Sequence, residues 1–143
     1  MLRKFKNEKG ATLVEFAIGA TVFVMSLFAV LEFGRALWVH NALTDAARRG
    51  ARYAVLHSVN SDTSVANVVV YGDPAGGTKP IVPDLDTGKV EVTYSSDFVV
   101  NQGTATVKIT NYQFQFVLPF LPTSITMPSY STTLTAESAG FIP

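Results

Sequence analysis

The sequence predicts an α+β protein: a long N-terminal transmembrane α-helix followed by a small antiparallel β domain packed on its outer half. Three observations carry that expectation. From Ala11 to Leu31 the chain is apolar, with Glu15 as its one ionisable residue. From Glu32 to Leu56 it runs on without proline and is rich in Ala, Leu and Arg, all good helix formers. Beyond Ser58 the composition shifts to Val, Thr, Ser, Asn, Gly and Pro, with short runs that alternate apolar and polar residues as half-buried strands do.

A chain of 143 residues has room for one modest domain plus an N-terminal element. Charged residues make up 15%, against roughly a quarter in ordinary globular proteins. The formal net charge is zero, which gives no electrostatic case for a nucleic-acid partner. Cysteine is absent. Disulfides, thiol catalysis and thiolate metal sites are thereby excluded, and the chain is compatible with an exported domain that folds without an oxidant. The organisation is read as a basic leader over residues 1–10, a long helix over 11–57 and an extracytoplasmic β-rich domain over 58–143.

The leader carries Arg3, Lys4, Lys6 and Lys9 and ends at Gly10. The apolar segment behind it meets the length of about 20 residues that a helix needs to cross a bilayer. Basic residues also lie beyond it, at Arg35, Arg48, Arg49 and Arg52, so counting them does not fix the topology. The order of elements does: a basic region leading straight into an apolar segment stays cytoplasmic, giving the N-terminus in and the C-terminal domain out. Past the span, Ala36, Val39, Leu43, Ala46, Ala47, Gly50 and Ala54 recur mostly at steps of three and four, an apolar stripe that should pack on something. Glu32 can pair with Arg35, and Asp45 with Arg48 or Arg49. Gly34 and Gly50 mark bends or points of close packing.

In the C-terminal part, Val65–Tyr71 can form a short helix or begin a strand, with strand the favoured reading, and residues 71–80 form a loop. Lys89–Tyr94 and Thr104–Ile109 alternate as two strands of an antiparallel pair. The alternation resumes one position out of step at Tyr112, Phe114 and Phe116, which predicts a bulge near Thr110–Asn111. Leu118–Pro128 is apolar but broken by prolines and is expected to be a covering loop. Tyr130–Glu137 is a last strand with Tyr130, Thr132, Leu134 and Ala136 on one face. So small a β domain should lean on the outer helix.

Glu15 is the residue with the most to explain. A carboxylate at the hydrocarbon centre costs about 2.5–3.5 kcal/mol on insertion scales, so it calls for a partner or a function. Proximity to Lys6 or Lys9 at the cytoplasmic headgroups is one answer. Cleavage after Gly10 is another, because Ala11 would then carry a free α-amino group one helical turn from Glu15. Gly10, Glu15 as the fifth residue after it, Phe16 and the apolar stretch that follows resemble a type IV prepilin processing site. With Leu31-Glu32-Phe33-Gly34-Arg35 and the run from Asn41 to Ala54, the chain resembles the TadE-like family of tight-adherence (Flp) pilus systems.

That resemblance implies a pilin-like (pseudopilin) subunit of a bacterial adhesive type IVb pilus, held in the inner (cytoplasmic) membrane and cut by a prepilin peptidase. By carry-over the processing site is Gly10–Ala11, and Glu15 with Phe16 serves processing and assembly. The partners implied are the membrane, the peptidase, other pilin-like subunits, further copies of the chain and the pilus assembly machinery. Entry into the extracellular pilus is left open. No catalytic residue, cofactor or metal is implied. The chain departs from related sequences at Arg49, where they often carry an acid. Gly19, Ala20 and Gly34 are small enough for helices to approach closely.

Two other functions are separable. An uncleaved, membrane-anchored binding domain would keep its leader, and a secreted protein cut after Ala20 would begin at Thr21. Other motifs read as structure. Asp86-Thr87-Gly88 matches the aspartic protease triplet but sits among turn residues and charges; Asp84, Asp86 and Gly88 lack the further ligands of a Ca²⁺ loop. His40 and His57 have no second metal-ligand pair. Arg48, Arg49 and Arg52 suit either lipid headgroups or a solvated helix face.

Overall fold

A computed structural model describes residues 8–57, 61–98, 102–117 and 124–136. Most of the leader and residues 118–123, inside the expected covering loop, lie outside them. Helix α1 runs from Glu8 to Leu56, 49 residues, which at 1.5 Å per residue is roughly 74 Å. Helix α2 (Asp62–Tyr71) follows, then a 3₁₀ turn (Thr87–Lys89) and strands β1 (Val90–Tyr94), β2 (Thr104–Ile109), β3 (Gln113–Gln115), β4 (Ser124–Thr126) and β5 (Tyr130–Thr135). The arrangement is the expected α+β one.

The stripe read on the outer helix is its buried face. Val39, Leu43, Ala46, Ala47 and Ala54 are all buried, and Ala51 joins them. On one side they meet a sheet ordered β1-β2-β5, antiparallel throughout. Central β2 turns Ala105, Val107 and Ile109 into the core. On its outer face Thr106 and Thr133 bond through their hydroxyls at 2.8 Å. Strand β5 buries Tyr130, half-buries Thr132 and Leu134, and is followed by buried Ala136, as the alternation predicted.

Three expectations are corrected. Val65–Tyr71 is helix, not strand. Val65, Ala66, Val68, Val69 and Val70 are buried, and packing against α1 and β1 outweighs the β preference of valine. The helix stops at Gly72, whose φ of +80° lets its N–H donate to the Val68 carbonyl at 3.0 Å, a conformation glycine adopts without penalty. The alternation near Thr110 is interrupted by more than a bulge. Asn111 takes φ +55°, and the chain leaves the first sheet to form β3. Finally, part of the expected covering loop is strand. Residues 124–126 form β4 and pair with β3 antiparallel, Phe114 opposite Ile125. Pro128, two residues beyond Thr126, helps to keep this strand short.

Candidate functional site

The N-terminal end of α1 is continuous through the Gly10–Ala11 bond and on through Glu15. Ala11 and Glu15 therefore lie one turn apart on one face. Leu13, Val14 and Phe16 beside them are exposed, Phe16 to 74%. Two hydroxyls of the segment bond within the helix: Thr21 donates to the Ala17 carbonyl and Ser26 to that of Val22, both at 2.8 Å. Glu15 is the one ionisable residue of this segment.

The glycines divide by what surrounds them. A Cβ added at Gly10, Gly19 or Gly34 would meet nothing within 4 Å, and Ala20 is half-buried. The fold of a single chain asks for no glycine at any of the three. At Gly50 the same atom would lie 2.3 Å from Val69 Cγ2 and 3.2 Å from Val107 Cγ1. Gly50 is the point where α1 touches both α2 and β2.

Where the apolar segment ends, α1 is fastened to the β3–β4 hairpin. The Arg35 guanidinium pairs with the Glu32 carboxylate, donates to the Gln115 carbonyl and lies 4.2 Å over the Phe114 ring. The Val117 amide donates to Glu32 Oε1 at 3.3 Å. Phe114 is buried and meets Phe116 edge to face, centroids 5.2 Å apart. The Arg35 hydrogen bond holds the Glu32 carboxyl below its ordinary value against the opposing effect of burial, with help from the Val117 amide. The sequence spacing identified the Glu32–Arg35 pair. It held no signal of the hairpin, whose contacts come from some eighty positions further on.

Arg48 and Asp45 approach to 3.9 Å as an exposed pair. Arg49 turns instead toward α2, its Nη2 3.5 Å from the Val69 carbonyl, while Arg52 is exposed. His40 Nδ1 lies 3.0 Å from the Tyr130 hydroxyl; His57 stacks on Tyr53 at 3.8 Å between centroids. Asp86 Oδ2 binds Lys89 Nζ at 2.8 Å across the 3₁₀ turn, and that lysine lowers the Asp86 carboxyl. Among the described residues, no three His, Asp or Glu side chains gather to hold a metal ion.

One helix among the described residues, Gly10–Leu56, is long and apolar enough to cross a membrane, which suggests a membrane anchor. Residues 10–52 match the family model described as TadE-like protein. The resemblance read from the sequence therefore holds for that segment, which takes in Gly10, Glu15, the Glu32–Arg35 pair and Gly50. The match ends before α2 and leaves the β domain outside it. No curated protein and no solved structure matches the chain.

Proposed function

We propose that this chain is a pilin-like structural subunit of a tight-adherence pilus system, anchored in the inner membrane by α1 and processed after Gly10. The TadE-like segment supports a pilin-like, Tad pilus-associated protein in general terms. The observation that carries the finer reading is the placement of Gly10 and Glu15 at the start of a helix whose large apolar side chains, from Leu13 to Leu31, are exposed.

The role is mechanical. Export places the β domain outside the membrane, the prepilin peptidase removes residues 1–10, and the freed Ala11 amine becomes a cation one turn from Glu15. Exposed Gly19 and Gly34, with Ala20, then let the helices of neighbouring subunits come close. A glycine at position 10 answers to the peptidase rather than to the fold, since its Cβ position is open.

The mature N-terminus tests this reading. Mass spectrometry of the protein recovered from membranes should find Ala11 as the first residue. An intact leader would replace the reading by a membrane-anchored binding domain, and a start at Thr21 by a secreted protein.

A further inference from the structure

The apolar surface of α1 does not end at Leu31. Glu32 and Arg35 turn toward the hairpin, and the other sides of the same two turns carry Phe33, Leu37 and Trp38, exposed to 66, 48 and 53%. On the hairpin side Val117 is 79% exposed and Ile125 42%. The Val117 amide, bonded to Glu32 Oε1, fixes that end of β3 at the height where the span stops. Exposed apolar groups thus lie both on α1 and on the neighbouring strands close to where the span ends. We propose that this collar, with Val117 and Ile125 beside the helix, sits in the lipid headgroup layer, so that the β domain touches the bilayer at a second place besides the span.

The heights agree. Residues 11–31 cover about 30 Å at 1.5 Å each, the thickness of the hydrocarbon core. Trp38 lies about 10 Å further along the axis, and helical side chains lean back toward the N-terminus. Its ring therefore reaches the interfacial zone where tryptophan concentrates. Above the collar Asn41, Asp45, Arg48 and Arg52 are exposed, so the water-facing part of the helix begins there.

Lipid fits this surface because the collar is continuous with the span and its hairpin is neutral. No charged residue occurs from Ile109 to Ala136. The contact is apolar insertion and draws nothing from anionic headgroups.

The proposal rests on α1 being a membrane helix, and the test separates the two claims. The chain has no cysteine and one tryptophan, so single cysteines can be introduced directly and Trp38 is a native reporter. Full-length Val117→Cys, Ile125→Cys, Val22→Cys and Thr63→Cys proteins, each labelled with a fluorophore, are placed in phosphatidylcholine vesicles. Quenching is read with aqueous iodide and with lipids brominated at shallow or deep positions. Labels at 117 and 125, and Trp38, should be quenched most by shallow bromines and shielded from iodide severalfold better than the label at 63. Label 22 should respond to deep bromines.

Iodide access at 117 and 125 equal to that at 63, with 22 still protected, would overturn the collar and leave the membrane helix standing. Access at 22 as well would overturn both. Shielding that bromines do not sense, and that fades as the protein is diluted in lipid, would mean a second copy covers the surface, which also overturns the proposal.

Discussion

The amide of Val117 donates to Glu32 Oε1 at 3.3 Å, joining the end of β3 to α1 across 85 positions of sequence. Glu32 is buried and also accepts from Arg35. Arg35 in turn holds the Gln115 carbonyl. Two charged side chains one turn apart thus supply the hydrogen bonds that fasten the hairpin where the helix leaves its apolar segment.

The fastening should depend on pH in one direction. Glu32 has its carboxyl lowered, chiefly by Arg35, so its contribution is fully present above the unfolded-state value. That contribution is lost as pH falls through the lower folded-state value. Protection of the amides at residues 113–117, taken relative to the intrinsic exchange rate at each pH, should fall on acidification below the usual glutamate range. Glu32→Gln should remove that acid dependence and cost about 1.5–3 kcal/mol at neutral pH, the scale of a hydrogen bond to a charged group. An unchanged acid profile in the Gln variant would assign the effect to another carboxylate.

Phe114 is the largest fully buried side chain among the described residues and lies under the Arg35 guanidinium. Phe114→Ala should cost about 3–5 kcal/mol through lost burial and the cavity left behind. Thermal unfolding of the detergent-solubilised chain measures it. Phe114→Leu should retain most of the stability while losing the cation–π contact, which is worth about 0.5–1 kcal/mol at exposed sites.

Gly50 and Gly34 should respond oppositely to the same substitution. Gly50→Ala places a methyl group against Val69 and Val107 and should destabilise by about 1–3 kcal/mol, the usual scale of overpacking. Gly34→Ala meets no atom within 4 Å among the described residues and should leave thermal unfolding unchanged or slightly raised, since alanine favours helix by up to about 1 kcal/mol. A drop in filament yield with intact unfolding in Gly34→Ala would place the need for glycine in the contact between subunits.

Legibility in the sequence followed the range of the interactions. The long helix, its buried stripe from Val39 to Ala54 and the pairing of β1 with β2 rest on local periodicity, and each could be read directly. Helix α2 could not, because Val65, Val69 and Val70 become helical through burial against α1 and β1 rather than through their own preference. The β3–β4 pairing was hidden for a similar reason: proline punctuation reads as loop, while Ser124–Thr126 finds its partner strand only in the folded chain. Gly50 stood out as a possible packing point, but its neighbours Val69 and Val107 come from elements that lie far along the sequence. At the candidate site, Gly10 and Glu15 were visible as an exception within an apolar run, and the Glu32–Arg35 pair by its spacing. The hairpin that this pair holds was not visible.

Glu15 supports the last prediction. A carboxylate in hydrocarbon costs about 2.5–3.5 kcal/mol on insertion scales, and its surroundings on α1 are exposed apolar side chains. Removal of residues 1–10 would create an amine at Ala11, one turn away and within reach of the same or a neighbouring subunit. Glu15→Ala should then be cleaved normally, with Ala11 found at the mature N-terminus, because the change lies beyond the scissile bond. It should be held in the membrane as well as the native chain or better, the insertion cost being gone. What it should lose is assembly, since the Ala11 amine of a neighbour would enter the bundle without its counter-charge. Sheared filament yield, normalised to processed protein in the membrane, measures this. Native yield from Glu15→Ala would show that the carboxylate has no part in assembly.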